Sequence, residues 1–311
     1  MLSFTNQPML EIIDTMKKSL QNLDEKKILE FSILNPDIVT STYSGNIIKI
    51  KNISYIYRGY KSWLDLAQSL HCKMLTPIIQ SEHIIIMRFE KLYKDNSFHS
   101  KIVDKEEKYG INSIFSKIYK NEESSFIFHY QKALENVNIN KRVRILNLGV
   151  NNGDEFEVIQ KYATNFKNLE LVGIDYCSSA IQSAKKRFQE FKNISFYTHD
   201  INDLNSLELD RFDLIITIGT LQSSNLEFNK LLLSIVQNQL KKDGAIILGF
   251  PNCRWIDGEM IYGAKVKNYS FSEMGLLYKD VIFSKKYLQQ KKYRVTITGK
   301  DYIFLTATSI R

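Results

Sequence analysis

The residues best suited to chemistry gather in one stretch. In "ILNLGVNNGDEF", residues 145–156, an apolar run ends among Gly149, Asn151 and Gly153 and then turns acidic at Asp154 and Glu155, with Glu157 just beyond. A strand that ends in a glycine-rich turn and opens a helix lets a nucleotide-like ligand approach the backbone without side-chain obstruction. The dinucleotide fingerprint requires G-x-G-x-x-G, whereas Gly149 and Gly153 bracket Asn151 as G-x-N-x-G and Asp154 stands at the third glycine. No Gly-Lys-Ser or Gly-Lys-Thr phosphate loop is present. Acidic residues in the first helical turn oppose a pyrophosphate, since one like-charge contact at about 4 Å costs on the order of 4 kcal/mol in partly screened surroundings. These features predict a phosphate-free adenosine ligand with a positive centre, a description met by S-adenosylmethionine.

Three later segments extend the same site. The second apolar run ends at Asp175, placed to accept hydrogen bonds from both hydroxyls of a ribose. The third ends at His199 and Asp200 and is followed by Ile201, a polar and an apolar group suited to the amine and the flat face of adenine. The fourth, "FDLIITIGTLQSSN", contains Gly219, where a substrate cavity can come close to the cofactor. Acceptor-side residues are expected in 220–225 and 251–269, because ligands sit outside the carboxyl ends of parallel strands. The second of these carries Asn252, Trp255, Glu259, Tyr262 and Tyr269, and no residue in either takes a catalytic assignment. Cys253 reads as a buried thiol, and the five histidines form no ligand spacing, so no metal is expected.

The elements that must position these groups follow from the hydrophobic pattern. The runs "VRILNLGV", "LELVGID", "NISFYTHD", "FDLIITIG" and "AIILGF" alternate with amphipathic stretches, which predicts buried parallel strands flanked by helices. "NLEFNKLLLSIVQNQLKKDG" predicts one helix closed by Gly244, a further helix resumes near Glu273, and "YRVTITG" with "YIFLTAT" predicts an antiparallel hairpin on the sheet edge. The first 95 residues read as a helix, strands at 28–42 and 47–57, a helix "YKSWLDLAQSLHC" and two more strands.

Residues from about 140 to 310 resemble the class I S-adenosylmethionine-dependent methyltransferases. In that family an acid opens the glycine motif, a second acid ends strand two, an Asp ends strand three, and the last strand is antiparallel. The resemblance implies that Gly149, Asn151 and Gly153 face the methionine and ribose of the cofactor, that Asp175 holds the ribose with Tyr176 beside it, and that Asp200 and Ile201 frame the adenine. Gly219 completes the set. Asn147 stands where the family has its opening acid, and Asn151 where it has a glycine; Asn tolerates the left-handed backbone such a turn needs. The implied fold is α/β, a Rossmann-like seven-stranded methyltransferase sheet with an antiparallel last strand, preceded by a smaller α+β domain. Residues 1–100 are read as an accessory domain, 101–122 as a linker and 123–311 as the methyltransferase domain.

The totals agree with two domains and a real core: 311 residues, 44% hydrophobic and 24% charged. The start lacks a basic cluster before an apolar block, no later run suits a membrane span, and three widely spaced cysteines suggest a reducing cytoplasm. The formal charge of +8 lies mostly toward the C-terminal half, densest at Lys285, Lys286, Lys291, Lys292 and Arg294. A small metabolite or protein side chain is favoured as acceptor over RNA, because that excess is modest and no RNA-binding motif accompanies it. An RNA methyltransferase and a non-catalytic methyltransferase-like binding module are the alternatives.

Overall fold

In the computed structural model, which describes residues 1–97, 107–223, 225–264 and 274–310, the chain divides into two units. One comprises Met1–Ser100 with Trp255–Ile261, and the other Lys101–Arg254 with Tyr262–Arg311.

The first unit contains β1 (Leu2–Ser3), α1 (Met9–Gln21), β2 (Ile28–Leu34), β3 (Ile47–Ile50), β4 (Ile53–Ile56), α2 (Tyr60–Ser69), β5 (Cys72–Ile79) and β6 (Ile84–Lys91). Ile12, Met16 and Leu20 recur at four-residue intervals on α1, so one stripe of the helix is buried. The stripe shares a core with Phe31, Trp63 and Phe89, and Phe31 meets Phe89 edge to face at 5.0 Å. The sheet runs β1-β2-β6-β5. The expected strand at 28–42 stops at Leu34, because Asn35 accepts the Asp37 N–H at 3.1 Å and caps a short turn. The expected strand at 47–57 is a hairpin instead: Lys51 and Asn52 both take positive φ, 45° and 65°, the geometry of a two-residue turn.

Trp255–Ile261 turns on Asp257 and Gly258, again with two positive φ values. The Asp257 side chain is 3% exposed and ion-paired with Lys26. It also accepts from the Tyr93 N–H at 3.0 Å and the Asn96 amide at 2.8 Å. Burial alone would push this carboxyl up, but Lys26 and the two N–H donors outweigh it and hold it below the ordinary value. The resulting stability is present above the unfolded pKa and is lost as the pH falls through the lower folded one. Asp257→Ala is expected to cost this unit about 1–3 kcal/mol at neutral pH by stranding its donors. Denaturant titration should show the gap to the wild type closing in acid.

The second unit contains α3 (Ser124–Asn136), β7 (Arg144–Leu148), α4 (Asp154–Tyr162), β8 (Glu170–Asp175), α5 (Ser178–Arg187), β9 (Ile194–Thr198), β10 (Phe212–Ile218), α6 (Phe228–Ser234), β11 (Leu240–Pro251), β12 (Cys253–Ile256), β13 (Glu259–Tyr262), α7 (Gly275–Gln290), β14 (Tyr293–Gly299) and β15 (Tyr302–Ser309), with the β12–β13 tip counted in the first unit. Its seven-stranded sheet runs β14-β15-β11-β10-β7-β8-β9. The pairs from β9 to β11 are parallel, while β15 is antiparallel to both neighbours. Alternate residues of each strand face opposite ways. Ile145, Ile216 and Ile247 accordingly pack under Phe126, Tyr130 and Phe156, while Leu146, Ile215 and Leu248 pack under Leu232, Ile235 and Leu288.

One element of this unit differs from expectation. The helix predicted to reach Gly244 ends sooner: α6 passes into a wide turn at Ile235–Gln239, and Leu240, buried opposite Phe212, already belongs to β11. Register resumes at Leu214 against Ala245, so 241–244 form a bulge. The closing hairpin forms the antiparallel edge of the sheet as expected, with β15 inserted between β14 and β11. Among the described residues no helix is long and apolar enough to cross a membrane.

Candidate functional site

Strand order reverses between β7 and β10, and the crevice outside the carboxyl ends of such strands is where ligands of open α/β sheets bind. The loop after β7 is shaped by three left-handed residues, Gly149 (φ 75°), Asn151 (φ 45°) and Gly153 (φ 83°). A Cβ on Gly153 would come within 2.6 Å of the Phe188 ring, and one on Gly149 would collide with the Thr220 hydroxyl. Gly149 is thus a point of close approach, and what approaches it is the first residue after Gly219. Asn151 donates its backbone N–H to Asp175 Oδ2 at 2.9 Å and its side-chain amide to the Tyr109 carbonyl at 2.7 Å.

Asp175 closes β8. Its other oxygen accepts the Cys177 N–H at 2.9 Å, so two backbone donors aim the carboxylate. Burial raises its pKa, nearby Glu155 adds to the rise, and the backbone N–H groups only partly offset it. The folded chain therefore holds this proton more tightly than the unfolded one, and the group subtracts stability as pH rises through that window.

Asp200 caps the turn at Ile201–Leu207, accepting from Asn202 N–H at 2.9 Å. Asp200, Tyr176, Thr198, His199 and Asp203 line an open cleft of about 340 Å³. Ile201 does not reach that lining; it is buried with Leu204 in the layer beneath. Gly219 (φ 75°) turns the chain after β10, and a Cβ there would sit 3.2 Å from Pro251. Asn147 is 1% exposed on the α3 side of β7. The structure thus brings Asn151, Asp175, Tyr176 and Asp200 to one edge, sets Asn147 and Ile201 below it, and leaves Tyr269 outside the described residues.

Charge around the loop differs from what the acidic run suggests. Asp154 pairs with Arg187 at 2.7 Å, Glu157 with Arg187 and with Lys161 at 2.6 Å, and Glu155 with Lys120 at 2.5 Å. Each carboxylate has a cation, so repulsion of phosphate does not by itself select the ligand. Sequence reasoning also missed the turn at Glu107–Tyr109. Glu107 accepts from Ser179 at 2.9 Å, and Tyr109, its phenol pushed up by burial and by Asp175, packs close to that carboxylate. Its stretch, "EEKYGINS", carries no periodicity that would have flagged it.

A seven-stranded sheet with this order, its penultimate position filled by the single antiparallel strand, defines the fold of class I S-adenosylmethionine-dependent methyltransferases. The model of a methyltransferase domain matches residues 139–298, more than half of the chain, and the chain belongs to that family. S-adenosylmethionine is the cofactor of this class. Among curated proteins the chain is similar to the carboxy-S-adenosyl-L-methionine synthase of Helicobacter pylori strain G27, 25% identical over 147 residues, which are 46% of this chain and 59% of that relative. The match therefore spans about six-tenths of the relative's length. Among solved structures it is similar to the CurJ carbon methyltransferase, with a TM-score of 0.50, 13% identity, and coverage of 85% of this chain and 76% of that one, a likeness of fold.

The chain's own groups fit the cofactor at its adenosyl end, where an aimed carboxylate adjoins an open cleft. At the amino-acid end Thr220 stands against Gly149, and buried Asn147 keeps a carbonyl oxygen that no described residue satisfies.

Proposed function

We propose that this chain transfers the methyl group of S-adenosylmethionine to a small metabolite or a protein side chain. Asp175 carries the reading. A carboxylate offers about four acceptor sites, and the two backbone donors leave room for both ribose hydroxyls. Asp200 and Tyr176 line the cleft beside it, where the adenine would lie against Tyr176 and donate its amine to Asp200, with Ile201 forming the apolar floor. Gly149, Asn151 and Gly153 keep the backbone bare for the methionine and ribose, and Gly219 does so on the acceptor side.

When bound, the cofactor supplies a methyl group already activated by its sulfonium charge. The chain's task is then orientation and exclusion of water, and a base is needed only if the acceptor must lose a proton. Cys253 is no candidate nucleophile: burial first, and Asp301 next, push its thiol up to about 12, so it stays protonated near neutrality. The first 100 residues are proposed as the acceptor-selecting domain, with 101–122 as linker and 123–311 as the transferase.

Incubation with methyl-labelled S-adenosylmethionine and fractionated extract tests the acceptor: label is expected in the small-molecule or protein fraction, and label in RNA would replace this reading by an RNA methyltransferase. A second reading, a binding module without transfer, is favoured by Thr220 occupying the space beside Gly149. Calorimetry decides it, since failure to bind either S-adenosylmethionine or S-adenosylhomocysteine at millimolar concentration leaves no cofactor site to defend. Ribose hydroxyls donate to the ionised carboxylate, so cofactor affinity should fall in acid, with a midpoint above the ordinary Asp value of 3.8. A pH series of dissociation constants that stays flat to pH 4 contradicts this.

A further inference from the structure

Glu155 lies in the first turn of α4 with 1% of its side chain exposed, and Lys120 reaches it with 16% exposed. Asn147 donates its amide to Glu155 Oε2 at 3.3 Å, while its own carbonyl oxygen has no partner among the described residues. The hydroxyl of fully buried Tyr130 has none either, and its phenol proton is held tightly by burial and then by the charge of Glu155. A buried ion pair commonly returns less than its desolvation costs, and each orphaned polar atom adds about 1–3 kcal/mol to the deficit. A structural role alone would be served as well by apolar side chains. One member of the cluster, Asn147, precedes Gly149 by two residues at the end of β7.

A ligand that brings one charge of each sign into the cluster accounts for all four groups. An α-amino acid does so on a single carbon. Its ammonium can replace Lys120 at Glu155, and its carboxylate can replace Glu155 at Lys120, so one ion pair becomes two with no net charge buried. Its ammonium has donors to spare for the empty Asn147 oxygen, and its carboxylate can accept the Tyr130 hydroxyl. Burial works to strip Lys120 of its proton, but Glu155, Asp154 and Asp175 together keep it charged, as a carboxylate receptor must be.

We infer that Lys120 and Glu155 form the receptor for the amino-acid arm of the cofactor, Glu155 binding the α-ammonium in place of the acid that Asn147 lacks and Lys120 binding the α-carboxylate. The inference rests on the cofactor reading above. It is a binding role, and it makes Lys120, from a stretch read as linker, part of the site.

The test compares dissociation constants by calorimetry for S-adenosylmethionine, its decarboxylated form, which keeps the amine, and 5′-methylthioadenosine, which lacks the whole arm. Glu155→Gln is expected to weaken the first two on the order of 10-fold or more, about the worth of one charge-assisted hydrogen bond, and to leave methylthioadenosine unchanged. Lys120→Met should weaken S-adenosylmethionine alone. Equal changes for all three ligands, or none for any, overturn the assignment. Should either single variant fail to melt cooperatively, the double variant Lys120→Met/Glu155→Gln, which buries no unpaired charge, carries the same comparison; wild-type affinity for S-adenosylmethionine in it also overturns the assignment. Failure of the wild type to bind even methylthioadenosine would instead strike the cofactor reading.

Discussion

Asp175→Ala should weaken S-adenosylmethionine binding on the order of 100-fold or more, because it removes two hydrogen bonds to a charged acceptor, each worth about 1.5–3 kcal/mol. The same change strands the N–H groups of Asn151 and Cys177 that the carboxylate now satisfies. Part of the loss is therefore disorder in the loop. Asp175→Asn separates the two contributions: the amide oxygen can still serve one donor, and an intermediate loss is expected. Against this, the alanine variant escapes the cost of keeping a carboxylate in a buried place that raises its pKa. Its melting temperature should thus fall little, and unchanged affinity in a folded variant would remove Asp175 from the site.

Gly149→Ala is the second large effect. The added methyl group collides with the hydroxyl, methyl and Cβ of Thr220 at once, and the φ of 75° costs an alanine about 1–2 kcal/mol before any clash. The loop can relieve the collision only by moving away from β10, which opens the crevice floor. Cofactor binding should drop beyond detection, with a clear loss of thermal stability. Combining it with Thr220→Gly, which deletes every contacted atom, should restore most of that stability but not the backbone term. A double-mutant cycle with no coupling between the two positions would show that Thr220 does not stand where the structure puts it. Thr220→Gly alone should tighten S-adenosylmethionine binding if the side chain obstructs the amino-acid arm.

The central strands were legible because each is a short, nearly continuous apolar run, the pattern of strands buried on both faces. The left-handed Asn151 followed from local chemistry as well. Less legible were features set by distant partners. Leu240 looks like the fourth turn of a helix until its pairing with Phe212 is known, and the hairpin at Lys51 and Asn52 shows only in backbone angles. Ile201 was expected beside adenine because it follows Asp200; opening the turn at Ile201–Leu207, it is buried with Leu204 and stands beneath the cleft rather than in its lining. Glu155 did carry a signal. It shares a helical face with Val158, Ile159 and Tyr162, a spacing that sets a carboxylate on the buried stripe of α4, but its place between Asp154 and Glu157 made it read as one of an exposed acidic run. Lys120 carried none, because its partner is 35 residues away.

The placement of β15 has a consequence for how the chain comes off the ribosome. Synthesis runs through β11, α7 and β14 before the strand that must lie between the two outer ones exists, so the apolar flank of Ala245–Phe250 waits with its ladder groups unmatched until 302–309 emerges. During that interval another nascent copy can zip onto the open flank, and a chaperone that shields it should raise the yield of folded enzyme more than any change to the finished surface.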